Sequence, residues 1–147
     1  STGLNELYDI YKAIKTIEET GNNKIIILPC VSIYTPENNQ VNLKRISTLQ
    51  QMYPDYPIGF SDHSLGSTLP VASIALGAAV IEKHFTSNHD LPGRDNKFAL
   101  EPEEFKKMSD NIYIAQESLV DHGIEYQDIE SDTVENYRGR WEPHDYN

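Results

Sequence analysis

Short aliphatic runs alternating with segments of helical period place the tightest limit on how this chain can fold. The runs "KIIILPC" (24–30), "PIGFS" (57–61) and "VIEKHF" (80–85) have strand length. "KIIILPC" is continuously aliphatic, so such a strand needs cover on both sides, as parallel strands flanked by helices provide. The intervening segments supply that cover. Residues 5–20 place Leu7, Ile10, Tyr11, Ile14 and Ile17 on one helical face, with Asn5 as the expected cap and Gly21 just past the end. Residues 41–53 repeat the spacing through Leu43, Ile46, Leu49 and Met52. Residues 67–78 start at Ser67 with Pro70 in the first turn, where a missing N–H does little harm. Residues 102–119 align Phe105, Met108, Ile112, Ala115 and Leu119. The order helix, strand, helix, strand, helix, strand, helix predicts an α/β fold of parallel strands with helical crossovers.

Three strands cannot close a barrel of eight, and "STGL" directly before a helix reads as the loop after a strand. The expectation is therefore part of a larger architecture over residues 1–123. Residues 124–147 form an acidic, aromatic tail or linker without period, and 87–100 a long loop punctuated by "PGRDN".

Charge and cysteine content narrow the function classes. With 23 acidic against 12 basic residues the net charge is −11, which leaves no dense cationic face for nucleic acid. A small anion held by local donors stays compatible with that exterior. No apolar run approaches the roughly 20 residues that span a bilayer, and no leader opens the chain. The lone cysteine, Cys30, lies in an apolar run and reads as a packed small hydrophobe. These features predict a cytoplasmic protein.

In parallel α/β folds ligands gather at the C-terminal ends of the strands. Two consecutive ends carry histidines, in "SDHSLG" (61–66) and "EKHFT" (82–86). Alternation puts Gly59, Ser61 and His63 on one face and Asp62 on the other, while Glu82 and His84 share a face. If His63 and His84 stand at one height, their rings are about one strand spacing apart, roughly 5 Å. That suits two ligands on one divalent ion, whose identity two nitrogens do not fix. The competing possibility is two histidines that simply hydrogen-bond in the core. Ser61 and Ser32, with Ser1 or Thr2, are small hydroxyl donors for a phosphate, although serine is common at strand ends. Asp95 would hold a substrate hydroxyl or stabilise a turn. Glu82 points inward and needs a partner, as an ion pair or a support for the site. His89, His122 and His144 fall in loop or tail and receive no role.

Together "CVSIY", "NLKRI", "GFSDHSLG", "ALGAAVIEKHFT" and "LPGRDNKFALEPEEF" resemble the N-acetylneuraminate (sialic acid) synthase family over about residues 1–120. The resemblance implies the C-terminal part of a (β/α)8 TIM barrel, which the family follows with an antifreeze-like domain, usually in a domain-swapped dimer. It implies condensation of phosphoenolpyruvate with an open-chain N-acyl hexosamine, typically N-acetylmannosamine, with release of phosphate. His63 and His84 match the ligands of a divalent metal, manganese first, with magnesium or cobalt as alternatives. Ser1 and Ser61 match phosphate contacts, Ser32 stands where asparagine is frequent beside them, and Tyr34 and Asp95 match residues that hold the sugar. The resemblance further implies a homo-oligomer or a complementary N-terminal barrel segment as partner.

The departures border the sugar pocket. Tyr34 runs straight into Thr35-Pro36 where the family often has Tyr-Pro-Thr-Pro. Arg94 replaces a common proline and Asn96 a frequent histidine. The lysines and acidic residue of the family's first strands, and the arginine of its second domain, have no counterpart segment in this sequence. Two alternatives follow: a non-catalytic partial-barrel scaffold, or another phosphoenolpyruvate-condensing barrel such as those making octulosonate or heptulosonate phosphates. The "SDHSLG" and "EKHFT" pair favours the nonulosonate branch.

Overall fold

A computed structural model describes residues 1–139, so residues 140–147 of the expected tail lie outside the described part. Two regular strands, β1 (Phe60–Asp62) and β2 (Ile81–Lys83), pair in parallel in the register Phe60↔Ile81, Ser61↔Glu82 and Asp62↔Lys83. The helix α3 (Thr68–Ala75) joins them. The other helices are α1 (Leu7–Glu18), α2 (Arg45–Met52), α4 (Pro102–Glu117) and, in the tail, α5 (Ser131–Tyr137). The expected α/β class with parallel strands and helical crossovers is thus present.

Irregular segments extend the sheet on both sides. The run 24–30, expected as a full strand, makes one parallel bridge, Ile27↔Ile58. Its hydrogen bonds nevertheless follow a parallel course: Ile27 N–H donates to the Pro57 carbonyl, Gly59 N–H to Ile27 and Ser61 N–H to Pro29. Pro29 has no N–H to return, which limits the ladder at that point. Beyond it, Thr2 N–H donates to the Leu28 carbonyl at 2.9 Å. On the far side Leu100 N–H donates to His84 and Thr86 N–H to Leu100, around the parallel bridge Phe85↔Leu100. The stretch 87–100, expected as loop throughout, therefore ends against the sheet, after a short 3-10 turn at Asp95–Lys97.

The helices are shorter than their periodicity predicts, for local reasons. Asn42 has φ of 52°, a left-handed conformation that no α-helix continues through, so α2 begins at Arg45 and not at 41. Gly77, at φ 84°, stops α3 short of 78. The cap of α1 is Glu6, not Asn5: the Glu6 N–H donates to the Asp9 carboxylate, while Asn5 turns back onto the Gly3 carbonyl. Ser67 precedes α3 without a capping hydrogen bond from its side chain. The tail, expected without period, contains the exposed helix α5.

Alternation along β1 and β2 sorts the sheet into two faces. One carries Ile27, Ile58, Phe60 and Ile81 into a core with Ile14, Val41, Ile46, Leu49 and Ala78. Helix α3 in turn packs on α4. The other face carries Leu28, Gly59, Ser61, His63, Val80, Glu82 and His84, and it is partly open: Val80 is 36% exposed, whereas Ile58 and Phe60 are 2% exposed. Gly59 belongs here because a Cβ would come within 2.5 Å of the Val80 carbonyl oxygen and 2.3 Å of the Leu28 side chain. Among the described residues no helix is long and apolar enough to cross a membrane.

Candidate functional site

Both histidines leave the C-terminal ends of their strands on the open face, as the register requires. Their ring centroids are 5.3 Å apart with an interplanar angle of 72°. His63 Nδ1 lies 2.8 Å from the Val31 carbonyl oxygen. A carbonyl can only accept, so Nδ1 carries a proton, and in the neutral ring Nε2 keeps its lone pair. His84 Nδ1 lies 3.6 Å from Asp95 Oδ2, longer than a hydrogen bond but an ion pair when the ring is protonated. In both rings the Nδ1 side faces an oxygen, the arrangement by which imidazole ligands are oriented.

Aromatic walls enclose the pair. Tyr34 stacks on His63 at 4.3 Å and meets His84 edge-on at 5.7 Å. Phe98 lies 5.0 Å from His84 and 5.9 Å from Tyr34. Beside the rings, the buried Ser61 hydroxyl donates to Glu82 Oε1 at 2.7 Å. Glu82 thus finds a hydroxyl as its partner, while the adjacent lysine pairs across the opposite face. Backbone and side chains of residues 61–63 and 82–84 line a shallow pocket of about 210 Å3.

Ser1 and Ser32 form a second group, joined through Cys30. Ser1 Oγ lies 2.9 Å from Cys30 Sγ, which lies 3.8 Å from Ser32 Oγ. Gly3 leaves room for this group: an added Cβ would stand 2.0 Å from Ser32 Oγ and 2.7 Å from Cys30 Sγ, so those side chains would have to turn aside. The structure therefore gathers His63, His84, Tyr34 and Asp95 in one cluster with Ser61 alongside, and places Ser1 and Ser32 at the end of the neighbouring run.

Two contributors escaped the sequence analysis, Phe98 and the Val31 carbonyl. Phe98 reaches the rings only because the loop returns to the sheet, which no local pattern announces. His89 does serve a structural purpose, with Nε2 2.8 Å from the Ala99 carbonyl oxygen. A wider cleft of about 320 Å3 lies between α1 and α2 near Lys44 and Arg45, away from the histidines. Arg45 there donates to the Cys30 carbonyl. Among the described residues no group of three or more His, Cys, Asp or Glu is placed to hold a metal ion. Any ion on the two imidazoles would draw its remaining ligands from oxygens of water, substrate or other parts of the protein.

The NeuB family model matches residues 1–123. The chain belongs to the NeuB family. It is 46% identical over 113 residues to the spore coat polysaccharide biosynthesis protein SpsE of Bacillus subtilis, covering 76% of this chain and 30% of that protein. It is 37% identical over 123 residues to the N,N'-diacetyllegionaminic acid synthase of Legionella pneumophila, covering 81% of this chain and 34% of that one. The crystal structure of the N-acetylneuraminic acid (sialic acid) synthetase of Leptospira borgpetersenii superposes with a TM-score of 0.79 at 33% identity. That match covers 90% of this chain and 46% of the synthetase. This NeuB chain spans about a third of the length of the curated relatives it matches. Its parallel sheet and helices thus correspond to part of the barrel architecture of these synthases.

Proposed function

We propose that this NeuB chain carries part of the active site of a nonulosonic acid synthase, which condenses phosphoenolpyruvate with an N-acyl hexosamine of the N-acetylmannosamine type and releases phosphate. The remaining barrel strands complete the site. The observation that carries this reading is the pair of imidazoles on adjoining parallel strands, 5.3 Å apart on the open face with oxygens behind both Nδ1 atoms. Family membership supports the chemistry, and relatives named for different acids leave the hexosamine itself to experiment.

His63 and His84 are the residues that would hold a divalent ion, manganese in preference to magnesium or cobalt, through Nε2. Bound there, the ion supplies Lewis acidity that polarises the sugar aldehyde. The chain's own residues supply the rest. Tyr34 and Asp95 flank the imidazoles on the side where the sugar enters, with the phenol and carboxylate as hydrogen-bond partners for its hydroxyls. The hydroxyls of Ser1 and Ser32 act as donors to the phosphate of phosphoenolpyruvate, and that of Ser61 joins them by turning its single proton away from the Glu82 carboxylate, which accepts it in the unliganded chain. Tyr34 and Phe98 pack against the rings and form one wall of the site.

The test is an assay of phosphate release with phosphoenolpyruvate, manganese and a panel of N-acyl hexosamines. It is run on the chain alone and with the barrel-completing segment from the same genome. Turnover that appears with the complement supports the proposal. No turnover under any pairing, with both partners folded, supports a non-catalytic scaffold instead.

A further inference from the structure

The residues next to the two histidines point the opposite way, into the helix-covered layer. Asp62 and Lys83 are directly paired across β1 and β2, with Lys83 Nζ 2.7 Å from Asp62 Oδ2. Their side chains are 0% and 2% exposed, respectively, on the face that carries Ile58, Phe60 and Ile81. The Asp62 carboxylate also accepts from the Ser64 N–H at 2.9 Å and from the Ser64 hydroxyl at 3.0 Å. The Lys83 ammonium donates to the Ser64 carbonyl as well. His63 thus sits at the middle of a three-residue segment whose two ends are both tied to Lys83.

Cohesion alone does not explain such a pair. Two charges taken out of water recover little net energy, and well-packed apolar residues of similar volume often hold a core as well or better. The best-attested use of buried ionic groups is to fix registry. In this sheet a slip of β2 by one residue would turn Lys83 to the open face and leave the Asp62 carboxylate unpaired in the apolar layer. The correct register, in turn, is the one that brings His63 level with His84.

We infer that Asp62, Lys83 and Ser64 are positioning residues that set the height and orientation of His63 against His84. The inference rests on the functional reading above for its consequence, metal affinity, but not for its geometry. The deciding experiment compares the chain with a paired variant, Asp62→Leu with Lys83→Met, and a milder one, Ser64→Ala. Three measurements are made: unfolding midpoint, Mn2+ binding by electron paramagnetic resonance, and metal-free 15N NMR of the imidazoles.

The paired variant is expected to keep its unfolding midpoint while Mn2+ binding weakens by about 10- to 100-fold, the range seen when ligand-orienting partners are lost. The His63 signals, held as the Nδ1-protonated tautomer by Val31, should move towards tautomer averaging. Ser64→Ala should shift both readouts in the same direction by less. A folded paired variant with wild-type Mn2+ affinity and unmoved imidazole signals overturns the inference. Should that variant fail to fold, unchanged readouts in Ser64→Ala overturn it equally. Absence of Mn2+ binding by the unaltered chain joined to its barrel-completing segment would sink the functional reading, whereas the metal-free spectra still decide the positioning role.

Discussion

His63 offers a ligand only through Nε2, because the Val31 carbonyl occupies its other nitrogen. Replacing either His63 or His84 by alanine should therefore weaken Mn2+ binding by more than the about 10- to 100-fold of an orienting partner. Equilibrium dialysis with manganese checks this, and retention of full metal content by both variants would refute the ligand assignment. At Gly59 the constraint is steric. An added Cβ meets the backbone oxygen of Val80, which cannot rotate away, so Gly59→Ala must push the two strands apart. Overpacking of this kind costs about 1–3 kcal/mol, measurable by urea denaturation. Residue-scale features were legible where they depend on alternation alone. Once two adjacent parallel strands are granted, period two places Ser61 and His63 on one face and Asp62 on the other. Phe98 and the Val31 carbonyl were illegible because they approach from segments brought in by tertiary structure.

Elements were legible in type and order, less so in extent. Periodicity marks which residues face the core, but a helix ends where the backbone leaves the helical basin, as at Asn42 and Gly77. The return of the loop at Phe85↔Leu100 has no periodic signature, since one bridge is too short to produce one. A different tie joins elements at the far end of α1. Tyr56, in the turn before β1, donates its hydroxyl to Glu18 Oε1, and Lys15 Nζ lies 2.6 Å from Glu18 Oε2. The Lys15 and Tyr56 hydrogen bonds, in that order, hold the Glu18 carboxyl below its ordinary 4.5. A depressed carboxylate stabilises the fold above its unfolded-state value and loses that contribution as pH falls through the folded-state value. Tyr56→Phe should therefore lower the melting temperature slightly at pH 7, and the gap to wild type should close towards pH 3. Thermal melts across that range check it, and a gap that widens on acidification would contradict the assignment.

At the scale of the molecule, the helix-covered face is closed and the site face is not. Val80 and Glu82 are accessible there, and the apolar Ile26 and Ile33 along the neighbouring run are 49% and 50% exposed. Uncovered sheet with apolar side chains promotes association. The 147-residue chain is expected to self-associate, or to bind a barrel-completing segment and become monodisperse with it. Light scattering after size exclusion tests this, and a stable monomer that binds no hydrophobic dye would count against it.

The two surfaces of β1 and β2 are written in adjacent letters, Asp62 beside His63 and Lys83 beside His84. Because these neighbours answer to opposite surroundings, strand pairing is a single decision with two results. A slip of β2 by one residue would bury the His84 imidazole among isoleucines and turn the Lys83 ammonium to the open face. Alignment of the rings and pairing of the charges thus stand or fall together: the two strands join in register and present both imidazoles, or lose both features in the same step.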